Sequence, residues 1–190
     1  MLAAETELAA CYARCHDALH LDGPAATVDR FVDEAWTIRN AVPWPHWKRA
    51  VEVSRQSVAH RQLLADPYTR DAFAKPRGYP GDADTLDYVY GYRGPDEADE
   101  MGRSLFAIST SVPLARAVRS RCARIASHVS NTGPEAVVVS VAAGHMRELH
   151  QVQDPAGRVF LAIDHDGNVA DHLRRDFDAQ WNDDAHHVLT

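Results

Sequence analysis

The sequence predicts an α/β protein, an N-terminal helical domain followed by the first part of a parallel β-sheet with helices. Three observations lead there. Apolar residues recur at three- and four-residue steps through the first two-thirds of the 190-residue chain, the period of amphipathic helices. Two β-branched runs bounded by turn residues then follow, Ala136–Val141 and Val159–Ile163. A helical pattern comes after each run, and strand alternating with helix is the mark of a parallel sheet. The expected domains are residues 1–130, helical, and residues 135–190, containing the sheet.

Each element has a local signal. Leu8, Cys11, Tyr12, Cys15, Ala18 and Leu19 form the stripe of a first helix, which Asp22-Gly23-Pro24 ends. Val28, Phe31, Val32 and Ala35, with Trp36 beside them, give the buried face of a second. After Pro43 and Pro45 a third helix runs from about Trp47 toward Leu64. Asp66-Pro67 reads as an N-cap with proline at the first helical position, opening a short helix over Tyr68–Phe73. The prolines and glycines of Lys75–Asp82 enforce turns. Asp82 caps a helix holding Leu86, Val89 and Tyr90, and Gly91 ends it. A long helix runs from about Val112 to Val129 with Leu114, Val118, Cys122 and Ile125 inward. The first strand is expected to be buried on both faces. Gly144 and a helix from Met146 to Val152 follow it. The second strand ends at Asp164, a helix covers Val169–Phe177, and His187-Val188-Leu189 begins a third strand.

Composition bounds the function. With 45% apolar and 25% charged residues the chain has material for a core. A net charge of -7 gives no electrostatic case for nucleic acid or an anionic membrane as partner. Arg116, Arg119, Arg121 and Arg124 fit the solvated side of a helix. Cys11, Cys15 and Cys122 form neither a CxxC pair nor an even framework, so buried thiols in a reducing compartment are expected. No run approaches the ~18 apolar residues of a membrane span, and Glu5 and Glu7 do not suit a signal peptide. The expected location is cytoplasmic.

The chemistry lies where the two strands end. A strand that turns at a glycine and feeds a helix can present backbone N–H groups to a polar ligand. An acid ending the next strand can accept hydrogen bonds from both hydroxyls of a ribose. Gly144 and Asp164 stand 20 positions apart, as that arrangement requires. The alternative is a βαβ unit in which Asp164 only caps the following helix.

Val138–Leu149 resembles the first motif of class I S-adenosylmethionine-dependent methyltransferases, a strand followed by GxGxG and a helix. Leu161-Ala162-Ile163-Asp164 resembles their second motif. Pro76-Arg77-Gly78-Tyr79-Pro80-Gly81-Asp82 is similar to the PRGYxGD segment of bacterial members with a helical N-terminal cap. The resemblance implies a Rossmann-like domain under a helical cap and S-adenosylmethionine as cofactor. It implies cofactor contacts at Ala142, Ala143, Gly144 and His145, ribose binding at Asp164, and adenine beside His165. Arg77 would clamp a carboxylate, Tyr79 close over the cofactor, and Asp82 hold an ammonium or orient Arg77; an Arg77–Asp82 pair that stiffens the turn is the other reading. Ala142 and Met146 replace the outer glycines, with the Met146 side chain expected toward the methionine end of the cofactor. Arg147 and Glu148 are expected on a helix surface.

The implied activity is methyl transfer to a small-molecule acceptor, with carboxylates among the acceptors of the resembling proteins. No general base is identified, and Asp164-His165-Asp166 is a poor chelate, so no metal is expected. The family's domain has seven strands, and this chain is expected to hold only the first part of it. A silent cofactor-binding or interaction module, and a nucleotide-binding protein of another kind, are the alternatives; a homodimer is left open.

Overall fold

The structure, a computed structural model, describes residues 3–180 and 187–190, with the side chains of 178–180 left aside. It divides into two compact units, residues 1–80 with 94–112, and residues 81–93 with 113–190. The segment 81–93 and the long helix before the sheet, both inside the expected helical domain, are thus grouped with the strands.

The first unit is helical: α1 (Ala3–Leu21), α2 (Pro24–Ala41), α3 (Trp44–Ser54), α4 (Val58–Leu63), α5 (Pro67–Ala74) and α7 (Glu100–Ser109). Helix α1 is its axis, packed on α2, α3 and α4. Leu8, Cys11, Cys15, Ala18 and Leu19 are buried along it as the periodicity predicts. All three thiols, Cys11 and Cys15 here and Cys122 in the second unit, are free and buried. Burial pushes the Cys11 thiol up to about 12 and the Cys15 thiol to about 11.

Two expectations need correction here, and one helix was not expected. The stretch from Trp47 to Leu64 is two helices, because the Ser57 hydroxyl accepts the His60 N–H at 3.1 Å and starts α4 afresh. In α2 the inward stripe is Thr27, Phe31, Ala35 and Ile38, while Val32 and Trp36 are 54% and 66% exposed. Helix α7 had no counterpart in the periodicity; Asp99 caps it by accepting the Gly102 N–H at 2.7 Å.

The second unit is mixed α/β, with α6 (Ala83–Tyr90), α8 (Pro113–Ser130), β1 (Val137–Val141), a 3-10 helix (Arg147–Gln151), β2 (Val159–Ile163), α9 (Gly167–Gln180) and β3 (His187–Leu189). The sheet is parallel in the order β1-β2-β3. Asp82 and Gly91 delimit α6 as expected, the acid accepting the Thr85 N–H at 2.7 Å and the glycine standing at φ 84°. Ala115, Cys122, Ala126 and Val129 face inward from α8, whereas Leu114 is 72% exposed and Ile125 also points out. Between Gly144 and β2 the backbone winds as 3-10, not as the α-helix expected over 146–152.

One sheet face is covered and the other is not. Val138, Phe160, Ala162 and Val188 pack with Met146, Leu149, Val169, Leu173 and Phe177 into a single core. Val137, Val139 and Val141 lie on the opposite face at 60%, 53% and 74% exposure, level with Val159, Leu161 and Ile163 of β2. Strand β1 is therefore not buried on both faces. Arg158 fastens the start of β2, donating to Ser130 O at 3.1 Å, Thr132 O at 2.8 Å and Thr132 Oγ1 at 3.1 Å. These carbonyls stand at and beyond the C-terminus of α8, where helical partners run out. Among the described residues no helix is long and apolar enough to cross a membrane.

Gly102 tests the packing of the helical unit. A Cβ there would be driven into the backbone carbonyl of Ala65. Gly102→Ala gains up to about 1 kcal/mol of helix propensity, against an overpacking cost of about 1–3 kcal/mol. We expect a net loss of stability in denaturant titration, and a rise in the midpoint would contradict the contact.

Candidate functional site

The strand β1 ends in a turn with an unusual backbone. Ala142, Gly144 and Met146 all lie in the left-handed region, at φ 54°, 55° and 44°. These are the three positions that GxGxG fills with glycine. Two of them carry side chains here, in a conformation that costs L-residues roughly 1–2 kcal/mol each. Around Gly144 the Cβ position meets only Ala83 Cβ at 3.7 Å, so its glycine serves the angle and not a crowded contact. Met146 is buried in the core with Leu149 and Phe160. Its buried side chain ties the turn into that core, and Met146 also lines the cleft beside the turn.

Asp164 closes the turn from the next strand. Its Oδ2 accepts the Gly144 N–H at 2.9 Å, and its Oδ1 accepts the Asp166 N–H at 3.0 Å. The sequence pairing of Gly144 with Asp164 is thus a direct contact at the carboxyl ends of neighbouring parallel strands. Asp164 does not itself cap α9; Asp166 does so, accepting the Asn168 N–H at 2.9 Å. Exposed His165 stands with its Nδ1 3.5 Å from Asp164 Oδ1.

A second support comes from α6. Its Asp87 is buried, and Arg147 grips it bidentately, Nε to Oδ1 at 2.7 Å and Nη2 to Oδ2 at 2.6 Å. His145 Nδ1 lies 3.0 Å from the same Oδ2. A carboxylate only accepts, so Nδ1 carries the proton in this contact. Burial alone would push the Asp87 carboxyl up, but hydrogen bonds from Arg147 and His145 outweigh it and bring the group down to about 2. Arg147 also lies over the Tyr92 ring, 4.1 Å from its centroid. The helix-surface expectation for Arg147 is therefore overturned: its side chain is 8% exposed. Nothing in local periodicity marks it, because its partner is 60 residues away.

A cleft of about 220 Å³ opens beside this turn, lined by backbone and side chains of 140–148 together with Ala83, Tyr90, Arg121 and Ile125. Ala142, Ala143, Gly144 and His145 all line it, and Asp164 does not. The PRGYxGD-like segment crosses the division between the units, with half-buried Arg77 and exposed Tyr79 in the first and Asp82 in the second. Asp82 is fully buried, and beyond capping α6 its Oδ2 has no hydrogen-bond partner among the described residues. Its observed role is to start the helix that carries Asp87.

Two substitutions test this construction. Asp87→Asn takes the bidentate counter-charge from buried Arg147 and leaves it only the more distant Asp176, and we expect a loss of up to about 3–5 kcal/mol at neutral pH. The Asp87 contribution is complete above pH 3.8, its ordinary value, and disappears as pH falls toward about 2. The wild type should thus lose stability steeply between those limits and the variant less so; parallel acid curves would contradict the pairing. Gly144→Ala should cost about 1–2 kcal/mol from backbone angle alone, and no change in thermal midpoint would place Gly144 outside the left-handed region. All of this rests on the chain itself: compared with family models, with curated proteins and with solved structures, it matches none.

Proposed function

We propose that the second unit is Rossmann-like and binds the nucleoside of S-adenosylmethionine at the carboxyl edge of β1 and β2. On this reading the protein transfers the sulfonium methyl group to a small-molecule acceptor, a carboxylate being the class the family resemblance favours. The carrying observation is the 2.9 Å bond from Gly144 N–H to Asp164, at the mouth of two parallel strands. Open α/β sheets bind ligands at that edge.

The residues present fit a ribose. A carboxylate offers about four acceptor positions, and the two backbone N–H groups on Asp164 use one on each oxygen. With His165 Nδ1 3.5 Å from Oδ1, the position left on Oδ2 is open to a hydroxyl and a second hydroxyl would take the place of His165 at Oδ1. The bonds already made fix the plane of the carboxylate in advance. The cleft beside Ala142–His145 is smaller than the ~300–1,000 Å³ of whole ligand sites, so it takes one end of such a molecule. When bound, the cofactor supplies an electrophilic methyl on sulfur. The protein's own part is to hold that group in line with the acceptor and keep water out. The described residues supply no general base in this account.

The bare aliphatic face of β1 and β2 favours a second reading, a cofactor-binding or interaction module without catalysis. Calorimetric titration with S-adenosylhomocysteine, NAD and ATP separates the two. We expect heat with the first alone, and no heat with any of the three would leave the interaction module. Asp164→Asn keeps one acceptor oxygen for the turn but spoils ribose binding, and should weaken S-adenosylhomocysteine by about 1–3 kcal/mol. Unchanged affinity in a folded variant would reduce Asp164 to a tie for the turn.

A further inference from the structure

Under the Gly144 turn two imidazoles lie face to face. The rings of His145 and His172, the latter on α9, have centroids 3.9 Å apart and planes 29° from parallel. Both are withdrawn from solvent, with side chains 5% and 27% exposed. From α6, Asp87 Oδ2 stands 3.0 Å from His145 Nδ1 and Asp84 Oδ1 stands 3.8 Å from its Nε2. On α9, Asp176 Oδ2 is 3.3 Å from His172 Nε2. That same oxygen is 3.5 Å from Arg147 Nη1 and 3.7 Å from His150 Nε2 of the 3-10 helix. Tyr92 closes the cluster over Arg147 and His150. Arg121 of α8 and Glu148 of the 3-10 helix line the cleft that His145 also lines, so their opposite charges flank that side.

With neutral imidazoles, the three carboxylates and one guanidinium closest to the stack leave it an excess of negative charge. In sum the carboxylates balance a proton on each ring, His145 facing Asp87 and Asp84 and His172 facing Asp176, so what opposes the second proton is the face contact of the rings themselves. That second proton puts two cations in face contact at stacking distance, in a place with little water to screen them. Burial, and then the neighbouring His145, already push His172 below the ordinary imidazole value. The second proton therefore comes at the cost of the stack.

We infer that the His145–His172 stack is a proton-operated latch on the glycine turn. Holding one proton or none, the rings stay together and pin residues 144–147 between α6 and α9. A second proton drives the rings apart and frees the turn. The latch is a property of the fold and does not need a ligand. Regulation of nucleoside binding by acid follows from it only if the proposed function also holds.

Hydrogen exchange on the ligand-free protein tests it, between about pH 7.5 and pH 5, where imidazoles titrate. We expect protection factors of the amides at 144–147, corrected for intrinsic rates, to fall by up to about tenfold per pH unit once the second proton binds. In His172→Gln the fall should vanish, because a facing pair of cations can then no longer form. Protection that is flat with pH in the wild type, or an equal fall in the variant, would overturn the latch. Should the variant fail to fold, the wild type alone decides the matter through the Cε1–H chemical shifts of its histidines. Two separated steps for this pair, the lower coinciding with loss of protection, support the latch; two independent single-proton curves overturn it. None of these readings involves a nucleotide, so failure here leaves the proposed function standing.

Discussion

Asp87 has almost no contact with water, and three hydrogen-bonding contacts from Arg147 and His145 surround its carboxylate. A buried charge of this kind is tolerated only when paired and fully hydrogen-bonded. That requirement fixes more than one side chain. Arg147 and His145 flank Met146 in the chain, so satisfying Asp87 sets where the left-handed turn stands relative to α6. Asp82 sets where α6 begins, and through it the height of Asp87. Asp164 holds the other side of the same turn from β2. The candidate site is thus a backbone bend clamped by two carboxylates that come from elements on either side of it.

The two clamps differ in what holds them. Asp87 is saturated by a guanidinium and an imidazole, which places it in the support of the turn. Asp164 accepts two backbone N–H groups, one per oxygen, with only His165 Nδ1 of the described side chains beside it at 3.5 Å. One acid is tied by side-chain charges and the other by main-chain amides. The His145–His172 stack joins the Asp87 side to α9, so α6, the end of β2 and α9 all meet at the bend.

Much of this was legible in the sequence wherever the signal is local. Asp66-Pro67, Asp82 and Gly91 bound their helices because a cap is made by residues two to four apart. Gly144 and Asp164 meet because strand–turn–strand geometry leaves few alternatives for their spacing. Tertiary choices were not legible. Val32 and Trp36 turn outward on α2, since Thr27 and Ile38 one stripe away take the inside. Leu114 is exposed while Ala115 is buried, because small residues let α8 approach its neighbours closely. The valines of β1 read as an interior strand, yet what covers a strand is decided by other elements. Arg147 looked solvated because no sequence-local feature announces a partner on a distant helix. His172 and Asp176 were invisible for the same reason.

Met146 gives the bend a property that a glycine would not. A glycine at that position would be a free swivel, able to change its angles without disturbing anything beneath. A buried thioether at the same backbone angle works as a tether: the main chain above cannot shift without dragging the sulfur through the packed side chains of Leu149 and Phe160. Withdrawing such a side chain costs about 1.5–3 kcal/mol. Local flexing is thereby converted into an all-or-nothing event that the hydrophobic interior must accept as a whole.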